Sequence, residues 1–283
     1  MKKSIPVASS VSELRARIRR WHKQGLKTAI VPTMGALHNG HLSLVDTAFR
    51  HADRVVVSIF VNPTQFAAGE DLATYPSDDA GDLAKLKLHK TNLAYIPDVT
   101  EMYPDGFCTS IEMKGPALAK LEDRFRPHFF DGVATVVAKL IIQAQCNIAI
   151  FGEKDYQQLA VVTRLMQDLN IPTQIIGSET IREIDGLAMS SRNAYLSQKE
   201  RARAALIHEC LDEAAKNIRA GKKISNAMRN ARSKLTKGGF NVDYVEARNA
   251  ENLAKVKILE DGPLRLLCAA WLGNTRLIDN IAV

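Results

Sequence analysis

Residues 31–41, which read VPTMGALHNGH, decide the fold, because a strand pattern gives way to a helix pattern within them. Just before them, the β-branched run TAIV at residues 28–31 is typical of a strand that is buried on both faces, and Pro32 is expected to end it. After His41, apolar residues recur at helical spacing. The stretch therefore predicts a strand, a loop and a helix in succession.

The loop between this strand and this helix has the features of a phosphate site. Gly35 and Gly40 lack a Cβ, so each permits a tight turn or the close approach of a phosphate. His38 and His41 fall in the first turn of the helix, where unpaired N–H groups and the helix dipole favour an anion. Because the two imidazoles share one face, both can donate hydrogen bonds to a polyphosphate. The loop is therefore predicted to bind a triphosphate.

Two other interpretations of this histidine pair remain open. The pair could be half of a zinc site, although the cysteines lie far apart and no third ligand follows at a recognisable spacing. The two residues could also be ordinary surface histidines at a helix start. Since H-x-G-H is a short motif, a second motif is needed to decide.

Composition indicates an ordinary globular protein. The chain has 283 residues, which is comfortable for two domains, and contains 46% hydrophobic and 24% charged residues. Its longest apolar stretches, such as residues 133–144, are interrupted by polar residues and are too short to span a membrane. Residues 4–15 contain no apolar signal-peptide core. We therefore expect a cytoplasmic protein without membrane contact.

The cysteines and the net charge narrow the class only a little. The four cysteines (Cys108, Cys146, Cys210 and Cys268) show no C-x-x-C pairing, and we expect buried reduced thiols without a disulfide. A net charge of +7 admits a nucleic acid partner, but it fits a phosphate-rich small substrate equally well. Many basic residues lie in residues 199–237 on helical patterns, where a solvated face is the simpler explanation.

Polar residues follow a second apolar run. Residues 55–61 are typical of a central parallel strand, stopped by Asn62 and Pro63, and Gln65 lies just beyond. Ligands bind outside the carboxyl ends of such strands, so position and chemistry together suggest a substrate role for Asn62 and Gln65. An amide can accept from a hydroxyl and donate to a carboxylate at once. Capping of the loop is the alternative.

The same arrangement recurs after residues 148–151, where GEKD (residues 152–155) follows an apolar strand. Lys154 can neutralise phosphate charge, and Asp155 and Gln158 open the next helix. A solvated lysine and a helix-capping aspartate are the structural alternatives.

Two later segments add cationic groups. Ser190, Ser191 and Arg192 offer two hydroxyls, backbone amides and a fork-shaped cation, which suit a pyrophosphate leaving group, although SSRN could also be a polar capping loop. The loop of residues 121–132 concentrates Arg124, Arg126 and His128 and could close over phosphates or remain exposed to solvent.

The remaining patterns complete the expected architecture. A capping box of Ser10 and Glu13 starts a first helix, which Gly25 ends. Further helices are expected over residues 78–90, 132–145, 156–169, 198–220 and 225–237, and further strands over residues 92–96, 107–113, 173–176, 242–247, 264–271 and 275–279. This order predicts an α/β domain with a parallel sheet over residues 1–180 and a smaller α+β domain over residues 181–283 that closes over the site.

Five separated motifs carry a family resemblance. The segments PTMGALHNGH, VVVSIFVNPTQF, FGEKDYQQL, DGLAMSSRN and RLIDN, in this order, resemble the pantothenate synthetases, or pantoate–β-alanine ligases, along essentially the whole chain. The resemblance implies a Rossmann-like domain of the superfamily that includes class I aminoacyl-tRNA synthetases. In that superfamily, H-x-G-H and a serine-rich basic loop flank ATP.

The resemblance also implies the reaction and its residues. In the family, pantoate reacts with ATP to give pantoyl adenylate and pyrophosphate, and the β-alanine amine then displaces AMP to form pantothenate. Carried over by motif, the ATP-binding residues would be Met34, Gly35, Ala36, Leu37, His38, Asn39, Gly40, His41, Gly152, Glu153, Lys154, Asp155, Ile181, Met189, Ser190, Ser191 and Arg192. Gln65 and Gln158 would hold pantoate, with Gln65 also near β-alanine, and His41 would be the active-site histidine. Magnesium would bridge the phosphates, and the family is typically a cytoplasmic homodimer.

The residue chemistry fits this reaction independently. Charge builds on the α-phosphate and on the departing pyrophosphate during adenylation. The donors or cations able to meet that charge are His38, His41, Lys154 and Arg192, and the route needs no covalent enzyme intermediate. No metal-ligating protein residue is predicted.

Two residues depart from the family pattern. Thr64 stands in NPTQF where methionine is usual, and His128 directly follows Pro127 where the family usually has one residue between them. The role of the loop histidine is therefore not carried over.

Two other functions remain as alternatives. One is an adenylyltransferase that leaves the nucleotide on its product, and the other is a basic RNA-binding module, although the chain lacks the aromatic base-stacking platform of such a module. A dehydrogenase fits less well, because no G-x-G-x-x-G follows the first strand.

Overall fold

Two buried β-branched runs form the centre of a six-stranded parallel sheet in the computed structural model, which describes residues 5–66 and 71–283. The strands are β1 (Val7–Ala8), β2 (Thr28–Thr33), β3 (Arg54–Ile59), β4 (Leu93–Tyr95), β5 (Ile148–Gly152) and β6 (Gln174–Ser178). They lie in the spatial order β1-β4-β3-β2-β5-β6, and each neighbouring pair runs parallel. From β2 the chain builds toward one edge through β3 and β4, and later toward the other through β5 and β6. The topological switch point, where such sheets bind ligands, therefore lies between β2 and β5.

Helices cover both faces of this sheet. The helices of the described chain are α1 (Val11–Lys23), α2 (Asn39–His51), α3 (Asp79–Leu88), α4 (Val99–Met102), α5 (Glu122–Phe125), α6 (Phe129–Ala144), α7 (Tyr156–Asp168), α8 (Gln198–Ala204), α9 (Leu206–Arg219) and α10 (Ile224–Lys237). Ile30 of β2 packs in the cluster formed with α1, α6 and α7, whereas Ala29 and Val31 pack with α2 and α3. Because both faces are buried, the strands read as continuous apolar runs. The predicted α/β parallel-sheet architecture is confirmed.

The C-terminal part has its own sheet and core. Strands β7 (Asn241–Asn249), β8 (Leu264–Leu272) and β9 (Thr275–Ala282) form an antiparallel sheet in the order β7-β8-β9. Helices α9 and α10 cover one face through residues such as Leu211, Ile218 and Leu235. The predicted smaller α+β part is therefore confirmed, whereas a domain boundary at Ile181 stays a prediction. We call the part formed by α8 to α10 and β7 to β9 (residues 198–282) the antiparallel-sheet unit, and the part from β1 to β6 (residues 7–178) the parallel-sheet unit.

The start of α1 agrees with the sequence prediction. Ser10 Oγ accepts a hydrogen bond from Glu13 N at 3.3 Å, and Glu13 Oε2 accepts from Ser10 N at 3.4 Å. These reciprocal bonds form the capping box. Among the described residues, no helix is both long and apolar enough to cross a membrane.

The prediction that Pro32 ends its strand is wrong, because β2 continues to Thr33, with Pro32 opposite Ser58 of β3. Thr33 O accepts from Phe60 N at 3.0 Å, so the polar groups of Pro32 face the other side, toward β5. There, pairing with β5 ends at Ile30. The missing N–H of the proline therefore costs no ladder hydrogen bond.

The strand predicted over residues 107–113 does not form. Instead, side chains of α6 bind its backbone: Thr135 Oγ1 accepts from Ile111 N at 3.0 Å, and Asp131 Oδ1 accepts from Met113 N at 3.0 Å. The segment is thus satisfied without a ladder partner.

Three smaller expectations are also corrected. The helix predicted over residues 198–220 is interrupted at Ala205 and forms α8 and α9, and α6 begins at Phe129 rather than at Gly132. Cys108 is exposed, whereas the other three cysteines are buried as expected, and all four are free thiols.

Candidate active site

The carboxyl ends of β2, β3 and β5 surround a cavity of ≈ 230 Å³ at the switch point of the parallel sheet. Most of the predicted site residues, although scattered along the sequence, line this one cavity. They are Met34, His38, Gly40, His41, Asn62, Gln65, Gly152, Lys154, Asp155, Gln158, Ile181, Met189, Ser190, Ser191 and Arg192.

The other predicted residues support this wall from behind or beside it. Gly35 has φ +83° and Ala36 has φ +50°, so both shape the turn that follows β2. Leu37 and Asn39 line a neighbouring pocket. Glu153 directs its carboxylate away, toward Arg265 of β8, whose Nη2 is 2.7 Å from Glu153 Oε2.

The first turn of α2 determines the state of the two histidines. His38 is the N-cap residue, and its Nδ1 accepts from Gly40 N at 3.1 Å. His41 Nδ1 accepts from His38 N at 3.3 Å. Each Nδ1 must therefore carry a lone pair, which leaves the proton on Nε2. The two rings, with centroids 4.0 Å apart, thus each offer an Nε2–H donor.

Burial keeps both histidines neutral. Loss of solvent, together with the Lys154 charge, lowers the pKa of His38 to about 4. Loss of solvent, then the neighbouring His38, lowers the pKa of His41 to about 3. A Cβ on Gly40 would lie 2.8 Å from the His38 ring, so glycine allows the cap to close. Burial and the capping hydrogen bonds therefore set the charge state of both histidines.

The loop after β3 holds Gln65 in a fixed orientation. Gln65 Nε2 donates to Met34 Sδ at 2.8 Å, and its Oε1 accepts from Asn62 Nδ2 at 3.2 Å. A thioether is a weak acceptor, so the Gln65 amide retains capacity to bind a polar ligand. Helix α6 comes close here, because a Cβ on Gly132 would lie 2.4 Å from Thr64 O.

Asn62 differs from Gln65 in its hydrogen bonding. It is 1% exposed, and its Oδ1 accepts from Tyr103 Oη at 2.8 Å and from Thr64 Oγ1 at 3.0 Å. Its Nδ2 also donates to Gly132 O at 3.3 Å. Because the protein already uses both ends of this amide, the geometry favours positioning of Gln65 over direct contact with a substrate. Tyr103 had no signal in the sequence that marked it for this network.

Two adjacent glutamines in α7 have different surroundings. Gln157 is 3% exposed, and its amide binds Glu122 N at 3.0 Å and Pro116 O at 2.8 Å. Gln158 lines the cavity.

Lys154 Nζ lies 3.7 Å from Asp155 Oδ2, and the Asp155 side chain forms no capping hydrogen bond with α7. The capping alternative for Asp155 is therefore not supported.

The segment before the serine-rich loop folds back on itself. Met189 N donates to Ile181 O at 3.0 Å, which places these two predicted residues side by side in the cavity wall. Ser190 then caps a short 3₁₀ helix, Ser191–Tyr195, with its Oγ accepting from Arg192 N at 3.3 Å. The segment SSRN therefore does cap a helix, and Ser190, Ser191 and Arg192 also line the cavity, whereas their binding of a pyrophosphate stays a prediction.

Asp82 is a residue of this region that sequence reasoning missed. It is fully buried in α3, and its Oδ1 accepts from Leu37 N at 2.9 Å, while Lys85 Nζ donates to Leu37 O at 2.8 Å. These bonds support the loop before α2. An aspartate four residues before the buried Leu86, on the apolar face of α3, was the available signal.

Arg126 is the member of the basic loop that reaches the site. Its Nη2 donates to Gln65 O at 3.3 Å, and its side chain lines the cavity. The His128 side chain is 90% exposed and pairs with Asp131 at 3.5 Å. The structure thus agrees with leaving His128 out of the site.

The antiparallel-sheet unit supplies the outer wall. A second cavity of ≈ 460 Å³ adjoins the first and shares Lys154, Gln158, Ser190 and Arg192 with it. Its other side is formed by residues of β7, β8 and β9, including Tyr244, Leu267 and Ile278. The candidate site is therefore a cleft between the two units.

Comparison with known proteins agrees with this geometry. A family model described as pantoate-beta-alanine ligase matches residues 6–282. A pantothenate synthetase of Bradyrhizobium sp. is 55% identical over 100% of both chains, and one of Rhodopseudomonas palustris is 54% identical over 98% of both.

Solved structures show the same fold. The pantothenate synthetase of Thermus thermophilus superposes with a TM-score of 0.92 at 41% identity, covering 98% of this chain and 99% of that one. The pantoate-beta-alanine ligase of Francisella tularensis, complexed with beta-gamma ATP and beta-alanine, gives a TM-score of 0.83 at 35% identity over 99% and 98% of the two chains. The chain belongs to the pantoate–β-alanine ligase family.

Proposed function

We propose that the cleft performs the ATP-dependent condensation of (R)-pantoate with β-alanine in two steps. In the first, the pantoate carboxylate attacks the α-phosphate of ATP, giving pantoyl adenylate and pyrophosphate. In the second, the β-alanine amine attacks the acyl carbon, and AMP leaves as pantothenate forms. The observation that carries the proposal is the convergence of two neutral Nε2–H donors, Lys154 and Arg192 on a cavity that Gln65 and Gln158 also line.

The cations and donors have distinct roles in the proposed first step. His38 and His41 lie at the positive end of α2 and donate to phosphate oxygens without adding a charge. Lys154 and Arg192 carry positive charge from two other loops, where it offsets the charge that develops on the pyrophosphate. Such preorganised groups stabilise the transition state more than the ground state.

Gln65 and Gln158 are the proposed pantoate ligands, with Gln65 also next to β-alanine. Their amides match a substrate that carries hydroxyls and a carboxylate. In this proposal Asn62, which is itself bound by Tyr103, holds Gln65 in place and does not contact pantoate. A relative that was solved in complex with beta-gamma ATP and beta-alanine supports the binding of both ligands by this fold.

Magnesium is the proposed cofactor of ATP. No group of three or more His, Cys, Asp or Glu side chains in the described part of the chain could hold a metal ion. Mg²⁺ is commonly bound through substrate phosphates and one or two carboxylates rather than by a protein cage. Asp155 is a carboxylate in the cavity wall, and the ion would neutralise phosphate charge there.

Isotope exchange tests the two-step mechanism. With ATP, Mg²⁺ and pantoate but without β-alanine, the protein should exchange labelled pyrophosphate into ATP, and AMP should accumulate only when the amine is added. Omission of pantoate is the control. Folded protein that makes pantothenate without any pyrophosphate exchange would contradict a reversible adenylate, and a product that retains the nucleotide would indicate an adenylyltransferase.

We further propose that the protein acts as a cytoplasmic homodimer and that residues 181–283 close over the site, as the family resemblance implies. Sedimentation velocity at micromolar concentration should give about twice the monomer mass. Small-angle scattering should show compaction when ATP and pantoate are added.

A further inference from the structure

The fifth sequence motif, RLIDN, has no role in the chemistry above, yet its last two residues are buried beside the site. Asp279 is 2% exposed and Asn280 is 4% exposed, and both lie on β9, an edge strand of the antiparallel sheet. Successive side chains of a strand point to opposite faces. Leu277 accordingly packs in the cluster with α9 and α10, and Ile278 packs with Leu121 of the parallel-sheet unit.

Asn280 binds the turn that carries Lys154. Its Nδ2 donates to Glu153 O and to Lys154 O, at 2.9 Å in each case. Its Oδ1 accepts from Arg265 Nε at 2.7 Å, which fixes the direction of the amide. The guanidinium of Arg265 also lies 4.1 Å from the Tyr156 ring centroid. The antiparallel sheet therefore holds this turn through its backbone.

Asp279 binds the other loop from the opposite face of the same strand. Arg182 donates to it through both Nη atoms, at 2.7 and 2.9 Å, and the Asp279 side chain is fully buried. Arg182 Nη1 also donates to Gly186 O at 3.0 Å. This arginine follows Ile181 and belongs to the folded-back segment that leads into Ser190. Asp279 Oδ1 also accepts from Asn280 N at 2.7 Å, and Nδ1 of His208 in α9 lies 3.6 Å from Asp279 Oδ2.

We propose that Asp279 and Asn280 are positioning residues that attach two loops to adjacent points of one strand. The loops are the turn that carries Lys154 and the segment from Arg182 to Arg192, which are the proposed phosphate-binding loops. The Cα atoms of Asp279 and Asn280 are about 3.8 Å apart, as in any trans peptide, so the loops share one rigid reference. Lys154 and Arg192 are thereby held at a fixed separation across the phosphates. Because an error of about 1 Å in such a group can cost on the order of 100-fold in rate, these ties control catalysis without touching the substrate. The inference rests on the proposed function of those two cations.

The test uses the full-length protein and measures pyrophosphate exchange at saturating ATP and pantoate, the ATP dissociation constant and the melting temperature. Asn280→Ala should lower the exchange rate roughly 10-fold to 100-fold and weaken ATP binding much less. Asn280→Asp retains the shape and an acceptor for Arg265 but loses both donors, so it should show the same loss of rate. It also serves if the alanine variant does not fold.

A matched control lies on the same strand. The side chains of Arg276 and Asn280 lie on the same face of β9, toward the parallel-sheet unit. The Arg276 guanidinium, however, binds Glu122 at 2.6 Å and Asp243 at 2.8 Å. Arg276→Gln should lower the melting temperature while it retains most of the exchange rate. An Arg276→Gln variant that loses as much rate as Asn280→Ala would overturn the proposal, because general loosening of the interface would then explain both.

Double-mutant cycles separate positioning from structural support. Asn280→Ala should add less than about a further 2-fold loss in a Lys154→Ala background, and Asp279→Asn should behave likewise in an Arg192→Ala background. Full multiplication of the losses, or wild-type exchange in both Asn280 variants, would overturn the proposal. Absence of exchange in the wild type, or an unaffected Lys154→Ala variant, would instead refute the proposed function.

Discussion

His41 lies at the third position of α2 with its Nδ1 occupied by the His38 backbone, so only Nε2–H can reach a ligand. If that bond strengthens as the α-phosphate becomes pentacovalent, His41→Ala should slow adenylation by ~100-fold to 1,000-fold, or about 2.7 to 4 kcal/mol, as on removal of one oxyanion donor. Single-turnover formation of the adenylate measures this. His51→Ala, an exposed histidine of the same helix, is the control. A folded His41→Ala variant with a near wild-type rate would refute the assignment.

His38 predicts a dependence of stability on pH. Its pKa is about 4 in the folded chain, against an ordinary value of 6.5. Between these values the unfolded chain binds more protons, so the free energy of unfolding falls as the pH falls from 6.5 toward 4. His38→Asn retains an N-cap acceptor but does not titrate. In thermal melts from pH 7.5 to 5, the melting temperature of the variant should therefore rise relative to wild type as the pH falls, and a constant difference would contradict the low pKa.

Gln158 and Gln157 provide a matched pair. Gln158→Ala should weaken pantoate binding by ~1 to 3 kcal/mol, because a substrate group is left without its partner, and should leave ATP affinity nearly unchanged. Gln157→Ala should instead destabilise the fold, since its amide binds Glu122 N and Pro116 O. Calorimetric titration and thermal melts distinguish the two. Equal loss of both affinities in Gln158→Ala would indicate a structural role.

At the scale of the element, α6 approaches the loop after β3 through Gly132. Alanine has the higher helix propensity by about 1 kcal/mol, but its Cβ would lie 2.4 Å from Thr64 O. Overpacking of this kind costs about 1 to 3 kcal/mol, so Gly132→Ala should be destabilising on balance. The new Cβ would also lie 3.0 Å from Gln65 Cα. The substitution should therefore displace Gln65 and raise the KM for pantoate more than the KM for ATP. Unchanged stability and an unchanged pantoate KM would show that the loop yields freely.

Element prediction from the sequence succeeded where one local signal dominates. The capping box of Ser10 and the buried stripe of Leu14, Ile18 and Trp21 define α1, and the apolar runs define the parallel strands. It failed where partners come from elsewhere in the chain. Ile111 and Met113 find their acceptors on α6, so residues 107–113 need no strand, and Pro32 remains in β2 because β5 no longer pairs there.

At the scale of the molecule, a buried ion pair connects the two units. Glu122 accepts from Arg276 at 2.6 and 3.0 Å and from Tyr244 Oη at 2.7 Å. Arg276→Gln should cost about 3 to 5 kcal/mol, because it leaves the Glu122 carboxylate buried without its counter-charge. Adding Glu122→Gln should recover part of that loss in urea denaturation. If the free energy of unfolding falls by less than about 1 kcal/mol, the pair contributes no more to stability than an exposed salt bridge does.

The sequence by itself determined the α/β class, the approximate positions of strands β2 to β9 and the set of polar residues that follow the carboxyl ends of the parallel strands. These features are local in the chain, and the rule that parallel strands bring those ends together is general, so His38, His41, Gln65, Lys154 and Gln158 could be predicted to meet. The family motifs placed Ile181 and Arg192 beside them.

Only the tertiary structure decided the protonation states of these residues and the hydrogen bonds that hold them in place. Burial makes the histidines neutral, the network of Tyr103 and Gly132 uses the whole amide of Asn62, and Asp279 and Asn280 hold two loops that precede them by about a hundred residues or more. Desolvation and hydrogen bonds between distant segments depend on how the two sheets pack, and no local pattern encodes that packing.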